Sequence, residues 1–230
     1  MSSADYKKYP RTYHLPFSKG LQSDDKMIQS LDNFIGKHIV VCEKLDGENT
    51  TIYPDGHSHA RSIDSKSHWS RDVVKRISAQ LRYEIPEGHR LCCENMEATH
   101  SIYYPDYHLE GPLYLLSVWN DDICLSWEDT CTYAQLLDLP QPKVFYSGVF
   151  DLDIFKKIAE SLDTSIEEGF VVRLVESFSY DDFSKSVTKY VREGHVQENA
   201  QHWIKSATPN GKYKNPVKPG FLNYSSKLKF

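Results

Sequence analysis

The chain has 230 residues, 40% hydrophobic and 26% charged, so it can bury the core of one globular domain and is not a disordered or fibrous protein. It has 27 Lys and Arg against 32 Asp and Glu, a net charge of −5, which excludes the overall basic excess of many nucleic-acid binders. Any nucleic-acid partner must therefore be held by a local basic patch.

The first half of the chain opens with a helical pattern and continues mainly as strands. Ser23 can cap a helix that Gly36 would stop. Its apolar residues recur at helical spacing: Met27, Ile28, Leu31, Phe34 and Ile35. The elements predicted next are a strand over 38–45, a hairpin of 49–53 and 57–63 around a Pro-Asp-Gly turn, and a helix over 70–81.

The second half of the chain has turn signals at short intervals, which favours strands over long helices. The predicted elements are strands at 90–96, 113–119, 124–127 and 144–146, a helix at 152–162, strands at 170–175 and 187–192, and a short helix near 196–205. This order predicts an α+β domain.

Cysteine content and hydropathy indicate the cellular compartment of the protein. The five cysteines are odd in number and include no C-x-x-C pair, and the N-terminus is polar, so we expect a reducing, cytoplasmic compartment. The longest apolar stretch, 112–119, is far shorter than the ~20 residues of a membrane span. The scattered histidines have no zinc-finger spacing. We therefore expect neither a membrane anchor nor a structural zinc site.

The most informative residue is Lys44, which ends an apolar strand and is followed by Asp46 and Gly47. A K-x-D-G spacing alone occurs by chance in many proteins. A deprotonated lysine amine can attack phosphorus, but the ordinary lysine pKa is ~10.4. Neighbouring acids such as Glu43 would raise the pKa further, whereas nearby cations or a divalent metal would lower it. This chemistry therefore requires cationic partners elsewhere in the chain.

Such cations follow in the last third of the sequence. Glu168-Gly169 opens a strand that ends in Arg173, and Lys189 and Arg192 lie in the next predicted strand. Alternate residues of a strand share a face. Lys189 and Arg192 therefore cannot both point straight into one pocket without a twist or bulge.

The motifs occur in a characteristic order. Lys44-Leu-Asp46-Gly47-Glu-Asn49 comes first. It is followed by His59-Ala60-Arg61-Ser62, Cys93-Glu94-Asn95, Leu113-Tyr-Leu-Leu-Ser-Val-Trp-Asn120, Glu168-Gly169, and Lys189 with Arg192. This series resembles motifs I, Ia, III, IIIa, IV and V of the covalent nucleotidyltransferases, the superfamily of polynucleotide ligases and mRNA capping enzymes. Asn49 stands where DNA ligases and capping enzymes usually have arginine, so the resemblance favours the RNA ligase 2 branch.

The resemblance implies an α+β nucleotidyltransferase fold, unrelated to ATP-grasp, with two antiparallel sheets flanked by helices and the nucleotide between them. It implies an ATP-dependent RNA ligase that joins 5′-phosphate and 3′-hydroxyl ends of nicked or broken RNA, or of an RNA/DNA hybrid. Residues 1–204 would form the catalytic domain, and 205–230 a basic tail without a second domain.

The resemblance also assigns roles to individual residues. Lys44 would take the AMP, Glu94 would bind the ribose, and Glu168 with Asp46 would help to hold Mg²⁺ or Mn²⁺. The phosphate-binding cations would be Arg61, Arg173, Lys189 and Arg192. The remaining nucleotide-site residues would be Glu43, Gly47, Asn49 and Leu116.

Two positions depart from the family pattern. Leu116 stands where the family stacks an aromatic ring on adenine, so an aliphatic side chain would sandwich the base unless Tyr114 serves. Val191 replaces the second lysine of motif V, and Arg192 would substitute for it from the next position.

The C-terminus has a strong local charge: residues 205–230 contain six lysines and no carboxylate. Many family members have a second domain that clamps the substrate, and too few residues follow Arg192 for one. The lysine-rich tail, or a separate end-healing partner protein, would supply the positive charge that such a second domain would otherwise provide. Truncation after His202 would then weaken RNA binding.

Three alternatives remain open from the sequence. A DNA nick ligase or a GTP-using capping enzyme shares the covalent chemistry. A catalytically silent RNA-binding protein would keep the fold without turnover. A third possibility is an enzyme that transfers AMP to a protein or small molecule.

Overall fold

The computed structural model describes residues 6–194 and 207–215, and its strands form two sheets. The strands are β1 (Tyr13–His14), β2 (His38–Glu43), β3 (Glu48–Ile52), β4 (Ser58–Ala60), β5 (His89–Asn95), β6 (Leu113–Asn120), β7 (Ile123–Cys124), β8 (Val144–Val149), β9 (Gly169–Leu174), β10 (Phe178–Ser179) and β11 (Val187–Val191). The helices are α1 (Asp72–Leu81), α2 (Trp127–Leu136), α3 (Leu152–Ser161) and α4 (Phe183–Ser186), with a 3₁₀ turn at Trp69–Arg71. Within these ranges no helix has the length and apolarity needed to cross a membrane.

Five strands form one sheet in the order β1-β11-β9-β2-β8, and six form the other in the order β10-β7-β6-β5-β3-β4. Strand pairing in both sheets is antiparallel except between β1 and β11, which run parallel. The predicted α+β architecture with two antiparallel sheets and flanking helices is confirmed.

Helices cover the sheets through one apolar face each. In α1, Val73, Ile77 and Leu81 are buried and join the core beneath the six-stranded sheet. In α3, Phe155 and Ile158 are buried in the core of the five-stranded sheet. Burying a side chain of this size stabilises the fold by roughly 1.5–3 kcal/mol.

Gly169 determines where the backbone places Lys44, the residue that follows β2. The amide of Lys44 donates a hydrogen bond to the carbonyl oxygen of Gly169, at 2.9 Å. A Cβ at Gly169 would lie 2.0 Å from the carbonyl oxygen of Tyr190. Only glycine therefore lets β9 lie this close to β11, and the backbone of Lys44 is held in place as a result.

The predicted helix before Gly36 is wrong. His14 donates its amide to the carbonyl of Lys26, and Ile28 donates its amide to the carbonyl of His14, both at 2.8 Å. These bonds satisfy backbone groups that a helix would have paired internally, and turns follow up to Gly36. Ile28 and Phe34 are buried all the same, so the apolar pattern marked core residues without marking a helix.

The predicted strand 124–127 ends at Cys124, and α2, which the sequence analysis missed, begins at Trp127. The Ser126 hydroxyl accepts a hydrogen bond from the Asp129 amide at 3.0 Å, which caps the helix N-terminus. The short elements β1, β10 and α4 were also not predicted. The helix predicted near 196–205 lies outside the described residues.

Residues 207–215, which we call the C-terminal clip, lie along the loop 96–110. The amide of Thr99 donates to the carbonyl of Thr208 at 2.8 Å, and the amide of Gly211 donates to the carbonyl of Tyr104 at 2.8 Å. The side-chain amide of Asn210 donates to the carbonyl of Met96 at 2.8 Å. This part of the predicted tail therefore packs on the domain, while the boundary at 204 stays a prediction.

Candidate active site

A cleft of about 370 Å³ opens between the two sheets. Strands of both sheets line it, together with residues that precede β1. It brings together nine of the residues that the sequence analysis selected: Glu43, Lys44, Gly47, Asn49, Arg61, Glu94, Leu116, Arg173 and Lys189.

Lys44 forms the central ion pair of the cleft. Its Nζ lies 2.5 Å from Oε2 of Glu168, whose side chain is 4% exposed. Burial lowers the pKa of Lys44, but the negative charges of Glu168 and Glu94 outweigh it and hold the pKa above its ordinary value. Lys44 is therefore an ammonium group in this structure, as the sequence argument from neighbouring acids expected.

Two carboxyl groups of the cleft titrate near neutral pH. Burial raises the pKa of Glu94 to about 8, with Lys44 opposing the shift and Glu168 adding to it. Burial and the negative charge of Glu167 raise the pKa of Glu43 to about 7. Since both groups are partly protonated at neutral pH, the cleft carries less negative charge than its acids suggest.

The residues after Lys44 are fixed by the loop beneath them. A Cβ at Gly47 would lie 2.5 Å from the carbonyl oxygen of Asn95, so only glycine fits there. Oδ2 of Asp46 accepts hydrogen bonds of 2.7 Å from the amide and hydroxyl of Ser101 and from the amide of Ile102. Asp46 does not line the cleft, and these bonds tie it to the loop instead.

Lys189 and Arg192 occupy different surroundings, as the alternation of strand residues predicted. Lys189 lines the cleft and Arg192 does not. The backbone amide of Arg192 donates to the carbonyl of Glu168 at 3.1 Å, and its guanidinium donates to the carbonyl of Glu193 at 3.3 Å. The structure thus brings only one of these two cations to the cleft.

Arg173 connects the two sheets at the inner end of the cleft. Its guanidinium donates to the backbone carbonyls of Leu125, at 2.9 Å, and Leu174, at 3.2 Å. It also lies over the rings of Trp127 and Phe178, 5.5 Å from each centroid. Because these contacts use much of its hydrogen-bonding capacity, its placement favours a structural role, and its predicted contact with phosphate stays a prediction.

Leu116 lines the cleft from a bulge in β6, between Leu115 and Ser117, which pair with successive residues of β5. Tyr114, the alternative partner for a base, is buried outside the cleft, and its hydroxyl accepts a hydrogen bond from the Glu110 amide at 2.7 Å. An aliphatic side chain therefore occupies the position that the resemblance assigns to base stacking.

An unsatisfied polar atom lies in the wall of the cleft. Asn49 donates through Nδ2 to the carbonyl of Cys93 at 3.4 Å, while its buried Oδ1 has no hydrogen-bond partner among the described residues. Next to it, Glu48 pairs with the guanidinium of Arg71. A buried acceptor without a donor is costly, so this wall fits a ligand that brings a hydrogen-bond donor.

Residues 6–194 and 207–215 contain no group of three or more His, Cys, Asp or Glu placed to hold a metal ion. Mg²⁺ in nucleotide sites is usually held by one or two carboxylates plus phosphate oxygens and water. Glu168, whose charge acts on Lys44, fits this kind of shared site, and the predicted part of Asp46 in it stays a prediction.

The sequence analysis missed the N-terminal part of the cleft. Residues 9–25, which we call the N-terminal segment, contribute five lining residues: Tyr9, Pro10, Arg11, Thr12 and Asp25. Asp25 lies 3.1 Å from Nε2 of His14 and 3.8 Å from Nζ of Lys189. The pairing of β1 with β11 places them there, and no local pattern signals such long-range pairing.

Two sheets that enclose a lysine and two glutamates are the arrangement that the resemblance to the nucleotidyltransferases implies. The model of the RNA ligase family matches residues 37–191, which is more than half of the chain. The chain therefore belongs to the RNA ligase family.

Solved structures show the same fold. Two forms of an archaeal ATP-dependent RNA ligase align with TM-scores of 0.58 and 0.57 at 16% and 17% identity, over 81% of this chain and 48% of theirs. A variant of Naegleria gruberi RNA ligase with ATP and Mn aligns with a TM-score of 0.50 at 13% identity, over 81% and 60%. The chain thus spans about half the length of the archaeal enzyme. A search of curated protein sequences finds no match.

Proposed function

We propose that this protein is an ATP-dependent RNA ligase that joins 5′-phosphate and 3′-hydroxyl ends through a covalent AMP on Lys44. The observation that carries the proposal is the 2.5 Å contact between Lys44 and Glu168 in a cleft that Glu94 also lines. Membership of the RNA ligase family supports it.

In the first step, the lone pair of Lys44 Nζ forms a bond to the α-phosphorus of ATP. The bond from that phosphorus to the bridging oxygen of the β-phosphate breaks, and pyrophosphate leaves with the electron pair. Lys44 must lose a proton first. Oε2 of Glu168, at 2.5 Å, is the acceptor within reach.

The charges around Lys44 suit this step. Lys189 lines the cleft with its own pKa lowered by burial and by the positive charge of Lys44, and Arg61 lines it too. Both would stabilise phosphate oxygens as charge moves to the leaving group. Lys189 would also disfavour the charged form of Lys44. A divalent ion held with Glu168 would neutralise phosphate charge.

The same cleft would hold the rest of the nucleotide. Glu94 would accept hydrogen bonds from the ribose hydroxyls, and Leu116 would pack on one face of the adenine. The unsatisfied oxygen of Asn49 would receive a donor from the ligand. ATP and a divalent metal fit this set of groups, and the Naegleria neighbour was solved with ATP and Mn.

The later steps require nucleic acid. A 5′-phosphate oxygen would attack the phosphorus of the lysyl-AMP and release Lys44, and a 3′-hydroxyl would then displace AMP and seal the strand. RNA ends are therefore the proposed substrate. A separate end-healing protein partner and a cytoplasmic location are also part of the proposal.

The test is covalent labelling. Purified protein is incubated with α-³²P-ATP or α-³²P-GTP and Mg²⁺ or Mn²⁺, then separated on a denaturing gel. We expect an ATP-specific adduct that Lys44→Ala abolishes while the variant stays folded, as judged by circular dichroism. Lys75→Ala removes an exposed lysine of α1 that pairs with Asp72, and this control should label like the wild type.

Each alternative predicts a different gel. Labelling by GTP instead of ATP indicates a capping-type enzyme. A labelled protein that seals DNA nicks and not RNA nicks indicates a DNA ligase, and one that passes AMP to a protein or small molecule indicates the third alternative. A folded protein that labels with neither nucleotide would overturn the enzymatic proposal and favour an RNA-binding role.

A further inference from the structure

Two arginines flank the mouth of the cleft from different sheets. Arg11 immediately precedes the β1 region of the five-stranded sheet, and Arg61 follows β4 of the six-stranded sheet. Within the described residues, β1 and β4 each lie at one edge of their sheet. Both arginines line the cleft together with Lys189, so positive charge lies on both sides of the opening.

Arg61 forms no hydrogen bond and no ion pair with any residue in 6–194 or 207–215. Loss of hydration and the positive charge of Arg11 lower its pKa, with Asp25 and Asp24 opposing. An arginine stays charged despite such a shift. Two guanidinium groups that repel each other at a cleft mouth would gain from an anion between them.

Among the described residues, the guanidinium of Arg11 is held by Asp24 at the surface. Its guanidinium contacts the carboxylate of Asp24 at 2.9 Å and donates to the carbonyl of Asp24 at 2.6 Å. The side chains are 38% and 69% exposed, and exposed ion pairs contribute little stability. Arg11 can therefore exchange this partner for a phosphate group at small cost.

A second acid near the arginines, Asp25, has other direct partners. Asp25 lies between His14 and Lys189, at 3.1 Å and 3.8 Å. Its charge favours the protonated form of Arg61, but among the described residues it forms no ion pair with Arg11 or Arg61, so their guanidinium donors stay open to an anion. Guanidinium groups bind phosphate oxygens with paired donors.

We propose that Arg11 joins Arg61 in a phosphate subsite at the mouth of the cleft. This inference rests on the proposed function for the identity of its ligand, which is the β- and γ-phosphates of the nucleotide or the 5′-phosphate of a nucleic-acid end. Arg11 lies outside the family-matched residues 37–191.

The direct test is binding of inorganic pyrophosphate, measured by calorimetry in Mg²⁺ buffer. Arg11→Ala should weaken binding by roughly tenfold, because a charge-assisted hydrogen bond is lost. Arg11→Lys should recover part of the affinity, since the charge remains without the fork. Arg76→Ala removes an exposed arginine of α1 outside the cleft, and this control should bind like the wild type.

Two kinetic arms identify the source of the phosphate. If the KM for ATP in self-labelling rises in Arg11→Ala, the subsite takes the nucleotide phosphates. If labelling is unchanged while transfer of AMP to 5′-phosphorylated RNA slows, it takes the RNA end. Unchanged pyrophosphate binding together with unchanged kinetics in both arms overturns the subsite. A failed Lys44-dependent adduct would instead overturn the proposed function, and calorimetry would still test the subsite.

Discussion

The N-terminal segment and the C-terminal clip both lie outside the family-matched residues 37–191, yet they attach to the domain in different ways. The N-terminal segment pairs with β11 and supplies five residues to the cleft. The clip supplies none, and its hydrogen bonds go to the backbone and side chains of loop 96–110. The N-terminal segment is thus placed to contact a ligand. The C-terminal clip instead supports a loop next to the cleft.

The support reaches the nucleophile through a short chain of contacts. The clip holds Tyr104 through the amide of Gly211. The Tyr104 hydroxyl accepts a hydrogen bond from the amide of Asp46 at 3.1 Å, and the same loop binds the Asp46 carboxylate. Asp46 lies two residues after Lys44, so loosening the clip should misplace the nucleophile although no clip residue lines the cleft.

The largest expected effect comes from removing the clip. Truncation after residue 206 should lower the rate of self-labelling by on the order of 10- to 100-fold, because the positioning of reacting groups is sensitive to small displacements. It should also lower the thermal midpoint. Rates are measured with α-³²P-ATP, and midpoints by circular dichroism.

Truncation after Asn215 is the matched control, since it keeps the clip and removes the lysines at 218, 227 and 229. We expect normal labelling, with weaker RNA binding if the tail supplies positive charge as the sequence analysis predicts. Equal labelling by both truncations would show that the clip does not position Lys44.

A smaller effect is expected from a methyl group inside the clip. A Cβ at Gly211 would lie 2.3 Å from the amide nitrogen of Asp106 and 2.4 Å from the carbonyl carbon of Pro105. Gly211→Ala should therefore lower the free energy of unfolding by about 1–3 kcal/mol, measured by urea denaturation.

Gly111→Ala is the control for that change, because its Cβ would be 3.5 Å from the nearest atom, a side-chain carbon of Pro140. We expect less than half the effect of Gly211→Ala. If both substitutions cost the same, the close approach of clip and loop is not what Gly211 provides.

The smallest effect is on pH dependence, and it concerns the N-terminal segment alone. Burial, with the positive charge of Lys189, lowers the pKa of His14 to about 4, while Asp25 opposes the shift. A lowered histidine pKa gives stability that is present above the unfolded pKa of ~6.5 and is lost as the pH falls through 6.5 toward 4. The clip has no histidine.

Between pH 7 and pH 5 the wild type should therefore lose about 1–2 kcal/mol more than His14→Gln. Urea denaturation at the two pH values measures the difference, and hydrogen exchange at the amide of His14 locates it. Parallel losses in the two proteins would mean that His14 titrates in the folded protein with its ordinary pKa.

Local signals predicted the strands well. Gly169 and Gly47 marked points where strands end or approach closely, and the hairpin around Gly56 follows from its turn residues, with φ of 85° at that glycine. The local sequence pattern gave the wrong secondary structure where pairing with a distant part of the chain determines the conformation. Residues 24–35 have helical spacing, yet the backbone near Met27 pairs with His14. Pairing with a distant strand does not change the spacing of apolar residues, so this spacing cannot reveal it.

The candidate site divides in the same way. Lys44, Glu94 and Glu168 were selected because their motifs resemble those of the nucleotidyltransferases in type and order, and the structure places Lys44 and Glu94 in the cleft with Glu168 beside Lys44. Arg11 and Asp25 were missed because only the pairing of β1 with β11 brings them there. The ties between Asp46 and the loop were equally invisible, since a carboxylate after a lysine suits a metal and a hydrogen-bonded loop alike.

The pairing of Tyr13 with Thr188 joins residues 175 positions apart, which sets an order of events on the ribosome. At about 5–20 residues per second, β1 is made on the order of 10–35 s before its partner strand. During that time its apolar neighbours lack their sheet. A nascent chain arrested before residue 187 should therefore recruit chaperones through its first residues, whereas one released after β11 should not.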